Sequence, residues 1–174
     1  MDNLAFSDHA VEKGIAALRA GCDIVTDTQM AKAGINKTIL ASLGGEVHCF
    51  MSDADVAAEA KARGVTRAFV SMERAAALPK PCIFAIGNAP TALFSLEALM
   101  EAGKLHPALI IGVPVGFVNV VESKERLFEV CTAYDVPAIV AMGRKGGSNV
   151  AAAICNALVY SAAGMLDPTD RGWK

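Results

Sequence analysis

The residue types able to build a site are concentrated in a few loops. Asp27-Thr28-Gln29-Met30-Ala31-Lys32-Ala33-Gly34-Ile35-Asn36-Lys37 is polar and ends near a glycine; it reads either as a short helix closed by Gly34 or as part of a binding loop. In Gly87-Asn88-Ala89-Pro90-Thr91 the glycine permits close backbone approach, and Pro90 opens a helix whose N-terminus favours an anion. Capping by Asn88 is the competing structural reading. Gly112-Val113-Pro114-Val115-Gly116-Phe117-Val118-Asn119 suggests a tight path against a flat apolar ligand or another subunit. Gly143-Arg144-Lys145-Gly146-Gly147-Ser148 is basic and glycine-rich, but it lacks the GxxxxGK[ST] spacing of a nucleotide-binding phosphate loop.

Histidine chemistry is sparse. His9 and His106 read as exposed surface residues, whereas His48 alternates with Val47 and Cys49 as a core or interface residue of a strand. None has the i, i+4 partner of a helical metal site, so no metal is expected. Hydrolase signatures such as GxSxG are absent.

These loops need a scaffold, and the pattern supplies one. Short apolar segments at Asp23–Asp27, Glu46–Met51, Cys82–Gly87, Ala108–Val115 and Ala138–Gly143 read as five strands. Helices are expected near Asp8–Ala20, Asp53–Leu78 with a break at Gly64, Pro90–Ala102, Val121–Ala133 and Ser148–Ala162. In the first, Val11, Ile15 and Leu18 form a stripe of i, i+4, i+7 spacing. Alternation of this kind implies a mainly parallel sheet covered on both faces, with its ligand crevice beyond the carboxyl ends of the strands. One unit of residues 1–166 with a polar tail at 167–174 is expected.

Composition narrows the class. With 53% hydrophobic and 20% charged residues in 174, the chain has material for a large core and is not of disordered type. A formal net charge of −2 without a basic stripe argues against nucleic acid. The start, Met1-Asp2-Asn3, lacks the basic region of a signal peptide, and the apolar run from Ala108 to Val121 is broken by Gly112, Pro114, Gly116 and Asn119. A cytoplasmic location without membrane contact is expected. Cys22, Cys49, Cys82, Cys131 and Cys155 form no CxxC pair and read as buried reduced thiols.

Taken in order, Asp27-Thr28-Gln29-Met30 with Gly34, Gly64-Val65-Thr66-Arg67, Ala85-Ile86-Gly87-Asn88-Ala89-Pro90-Thr91-Ala92-Leu93-Phe94, Gly112-Val113-Pro114-Val115-Gly116-Phe117-Val118, Glu122-Ser123-Lys124 and Gly143-Arg144-Lys145-Gly146-Gly147-Ser148 resemble the precorrin-8X methylmutase (cobalt-precorrin-8 methylmutase) family. The resemblance runs from about Leu4 to Leu158. It implies a flavodoxin-like three-layer α/β/α fold with a mainly parallel five-stranded sheet, a homodimer, and a 1,5-sigmatropic shift of a ring methyl from C11 to C12 of a corrin precursor. No redox or group-transfer cofactor is implied, and cobalt enters only within the substrate.

Such a substrate is an apolar macrocycle fringed with carboxylates, which calls for a broad apolar wall and a rim of cations and N–H donors. Arg67 is the expected rim residue of closest family match. Asp27, Met30, Asn36, Lys37, Asn88, Thr91, Arg144 and Ser148 are the other expected substrate-binding residues, with Lys124 and Lys145 as further rim donors. Members of the family usually begin some tens of residues earlier, with a helical segment carrying a histidine thought to protonate the macrocycle. The expectation is therefore that this segment is absent here, removed from the chain or supplied by a separate one, with His48 the only internal substitute. A general acid contributes about 10²–10⁴-fold, so its loss would slow rather than abolish turnover. A corrinoid carrier without turnover is the alternative function.

Overall fold

The computed structural model describes residues 3–167 and 169. The rest of the expected C-terminal tail, and the start at residues 1 and 2, lie outside the described residues. Strands β1 (Leu4–Phe6), β2 (Asp23–Thr26), β3 (Val47–His48), β4 (Cys82–Ile86), β5 (Leu109–Gly112) and β6 (Ala138–Ala141) form one sheet in the order β1-β6-β5-β4-β2-β3. Every pairing is parallel except β1 with β6, where Leu4 lies opposite Ala141 and Phe6 opposite Ile139. The five expected strands are thus joined by a sixth. Leu4–Phe6 is three residues long, with both ends exposed, too short for a period of two to stand out.

Among the described residues eight helices alternate with the strands: α1 (Ala10–Arg19), α2 (Gln29–Gly34), α3 (Lys37–Ser42), α4 (Ala54–Arg63), α5 (Arg67–Ala76), α6 (Pro90–Glu101), α7 (Val120–Ala133) and α8 (Ser148–Ala162). The break at Gly64 falls where expected, and Gly64 closes α4 with φ 67°. Helix α8 spans the expected residues; α3 was not expected.

The central strands are buried on both faces, so they read as continuous apolar runs. Their alternate residues feed two cores. Ile24, Ile83, Ala85, Leu109, Ile111 and Ile139 pack beneath α1, α2, α3 and α8. Val25, Phe84, Ile86, Ile110, Ala138 and Val140 pack beneath α5, α6 and α7. Helix α4 packs on α5 through Val56, Ala60 and Val70. All five cysteines are buried and unpaired, and burial pushes the thiols of Cys22, Cys82, Cys131 and Cys155 up to about 12. Among the described residues no helix is long and apolar enough to cross a membrane.

Strand order reverses between β2 and β4, whose sequence neighbours β3 and β5 lie on opposite sides of them. The carboxyl ends of β2 and β4 therefore open the crevice that this architecture uses for ligands.

Candidate functional site

Asp27, immediately after β2, is 1% exposed. Its carboxylate accepts hydrogen bonds from the backbone N–H groups of Gly87 (2.8 Å), Asn88 (2.8 Å) and Ala89 (2.6 Å) in the loop after β4. Burial raises the Asp27 carboxyl above its ordinary range, against the pull of these donors. The loop ahead of α6 does have anion-binding geometry, and the anion it holds is part of the protein. Asp27 thus faces the neighbouring loop rather than an open surface. Asn88 does not cap α6; Ala89 occupies that position without a side-chain bond.

A second tie joins the first and last loops. Thr28 Oγ1 donates to Ser148 Oγ at 2.8 Å and also caps α2 by accepting from the N–H of Ala31. Gly87 is required here, because a Cβ on it would lie 2.7 Å from Ser148 Cα and 2.8 Å from its nitrogen. The N–H of Gly147 donates to the carbonyl of Val113. Loops after β2, β4, β5 and β6 are consequently locked into one rigid floor.

Lys124 reinforces it from below. Its side chain is fully buried, and its ammonium donates to the carbonyls of Gly143 (2.8 Å) and Lys145 (2.9 Å). Burial lowers its pKa to about 8. Lys124 is therefore a tie for the loop after β6 and not a rim cation, because its side chain is fully buried and its ammonium is bonded to two carbonyls inside the protein.

Above this floor the surface is apolar and cationic. Met30 is 69% exposed, Phe117 85% and Val118 76%, in loops and a helix start at the carboxyl end of the sheet. The Arg144 guanidinium lies 5.8 Å from the Phe117 ring centroid. Arg67 is exposed at the first turn of α5, next to the cap Thr66. Thr66 and Thr91 line a common cavity of about 290 Å³ with Val65, Phe69, Phe94 and Ser95. Lys37 is exposed, its ammonium 3.5 Å from the Ala33 carbonyl. Asn36 is different: its N–H, Oδ1 and Nδ2 bond Asn156, the N–H of Ile39 and Tyr160, so it ties α3 to α8.

The histidines lie at the other end. His48 Nε2 is 3.0 Å from Asp23 Oδ2, at the first residue of β2. Asp23 and Asp27 are separated by the length of the strand, about 13 Å at 3.3 Å per residue. His9 follows Ser7, whose N–H bonds Ala138 at the start of β6, and His106 precedes β5. All three therefore sit at the amino end of the sheet, and the expected internal substitute, His48, is turned away from the crevice.

Sequence reasoning had no means of finding the partners of Asp27 and Lys124. A buried acid followed by a polar stretch, and a lysine inside an apolar stripe of a helix, are the only local traces they leave.

Similarity to known proteins converges on one family. A family model described as precorrin-8X methylmutase matches residues 1–161. The cobalt-precorrin-8 methylmutase of Salmonella typhimurium is 48% identical over 163 residues, covering 92% of this chain and 73% of that protein. The precorrin-8X methylmutase of Pseudomonas aeruginosa is 43% identical over 158 residues, 91% of this chain and 74% of that protein. The crystal structure of the precorrin-8X methylmutase from Thermus thermophilus superposes with a TM-score of 0.81 at 38% identity, over 93% of this chain and 77% of that one.

Proposed function

The chain belongs to the precorrin-8X methylmutase family, isomerases of cobalamin biosynthesis, and on that premise we propose that it binds a corrin precursor in the crevice and moves a methyl group from C11 to C12. The substrate is precorrin-8X or its cobalt form, and the product hydrogenobyrinic or cobyrinic acid. A methyl shift conserves atoms and electrons, so the protein's task is to bind, orient and manage a proton.

The observation that carries this reading is the pairing of an exposed apolar wall, Met30, Phe117 and Val118, with the exposed cations Arg67, Arg144 and Lys145 at the carboxyl end of the sheet, whereas Lys37, beside Asn36, lies farther down along α8. That surface matches a flat apolar ring with carboxylates at its edge. Asn88, Thr91 and Ser148 face the same crevice as further polar contacts. Asp27, Thr28 and Lys124 act through the loops they fix. A rigid floor holds the ring in one geometry, and geometry is what an intramolecular migration needs.

Proton delivery falls to a group other than His9, His48 and His106. The histidine-bearing helical segment implied by the family resemblance is the donor this reading requires, on this polypeptide or a separate chain. A homodimer, in a cytoplasmic setting, would extend the apolar wall beside Phe117 and Val118 and leave their ring-facing surface open to the substrate. Titration with hydrogenobyrinic acid, followed by visible absorbance, tests binding, and single-turnover conversion of precorrin-8X tests chemistry. Saturable binding is expected. Absence of any spectral change at saturating product would overturn the proposal.

A further inference from the structure

Three side chains with metal-binding atoms meet at the amino end of the sheet. Asp23 opens β2, Glu46 immediately precedes β3 and His48 closes it; parallel pairing of β2 with β3, in which Val25 lies opposite His48, brings them together. His48 Nε2 is 3.0 Å from Asp23 Oδ2 and 3.2 Å from Glu46 Oε1. One ligand atom from each of the three lies within 4.8 Å of the others. Tetrahedral zinc, with bonds of about 2.0–2.2 Å to nitrogen and oxygen, sets its ligand atoms about 3.3–3.6 Å apart. The two distances from His48 stand close to that spacing, and the Asp23 and Glu46 oxygens lie within 4.8 Å of each other.

The donors are also held in orientation. The second oxygen of Asp23 accepts from the N–H of Glu46 at 3.0 Å and faces the Lys80 ammonium at 3.5 Å, which leaves Oδ2 turned towards His48. The His48 ring stacks on Phe50 at 6.0 Å between centroids and 11° between planes. Contacts of this supporting kind fix the ligands of metal sites. The Asp23 side chain is 6% exposed and that of His48 16%, whereas that of Glu46 is 71% exposed, giving a buried floor with one open side.

We propose that Asp23, Glu46 and His48 bind a divalent transition-metal ion of the zinc class, with water completing the coordination. One imidazole with two carboxylates suits zinc and its neighbours; calcium and magnesium prefer oxygen throughout. The ion would pin β3, an edge strand of two residues, to β2. Its position across the sheet from the crevice makes this a structural site, independent of the methylmutase reading.

The test is titration of the full chain, stripped with chelator, with Co²⁺ followed by visible ligand-field bands, and with Zn²⁺ by equilibrium dialysis. One equivalent should bind to the unaltered protein. Glu46→Gln, at an exposed position that leaves the fold intact, should weaken binding at least about tenfold. His48→Ala should abolish it, and Lys80→Met, which removes a competing cation, should tighten it. No saturable binding at micromolar metal would overturn the proposal. So would binding undiminished in both Glu46→Gln and His48→Ala, which would place the metal on His9, His106 or a thiol.

Discussion

Strand β2 opens on one aspartate, Asp23, and is followed directly by another, Asp27, and the two satisfy their buried charge in different ways. Asp27, at the carboxyl end, is held by three backbone N–H groups of a loop sixty residues away in sequence. Asp23, at the amino end, is held by His48, Lys80 and a single N–H, that of Glu46. Burial works to raise the Asp23 carboxyl, but those partners together hold it below the ordinary range. Backbone donors cannot titrate or swing away, so the crevice end is a fixed scaffold. Side-chain partners can exchange, so the opposite end is free to accept an ion. Rigidity and exchangeability are thus set by the type of partner, since both carboxylates are almost fully buried.

The comparison is broken most directly at Asp27. Asp27→Ala leaves three N–H groups without an acceptor, that of Gly87 buried and those of Asn88 and Ala89 partly so, and should cost about 3 kcal/mol in urea unfolding. Asp27→Asn keeps one acceptor oxygen and should cost about half as much. A loss under about 1 kcal/mol for Asp27→Ala would show that the tie is not structural.

Glu97 sharpens the contrast, because it is buried without backbone donors. It is 2% exposed, neither oxygen has a well-formed hydrogen bond, and its nearest cation is Arg126 at 3.3 Å. Burial raises its pKa to about 7, against Arg126, which lowers it. A carboxyl whose folded pKa exceeds its unfolded value binds more protons when folded, so its contribution to stability is full below about pH 4.5 and is lost as pH rises through 7. Glu97→Gln should therefore be more stable than the unaltered protein at pH 8 by roughly 2–3 kcal/mol, with the gap closing towards pH 4.5. Denaturation at a series of pH values measures the difference, and a pH-independent gap would refute the assignment.

Above the rigid floor, effects should fall on binding and leave the fold alone. Arg67→Ala should weaken corrin binding by about 1.5–3 kcal/mol, the range for a hydrogen bond to a charged group. The unfolding midpoint should not move, because Arg67 is exposed. An unchanged dissociation constant for hydrogenobyrinic acid would remove Arg67 from the site. Phe117→Ala should cost less, about 0.5–1.5 kcal/mol of the same binding energy, because one ring contributes one patch of the wall. A matching loss of stability would instead mean that Phe117 packs within the fold.

What the sequence determined by itself is local. Apolar runs rich in branched residues marked the five long-recognisable strands, Gly64 marked the break between α4 and α5, and Pro90 and Ser148 marked the starts of α6 and α8. The glycine-bearing loops after the strands were legible as the place for a site. Tertiary structure decided the partners: that β1 runs antiparallel beside β6, that the anion at the loop before α6 is Asp27, that Lys124 ends on Gly143 and Lys145, and that all three histidines lie away from the crevice. The reason is the range of the signals. Periodicity and turn chemistry act over a few residues and set each element, whereas strand order and the fate of a buried charge depend on residues far apart in the chain, which meet only when the sheet assembles.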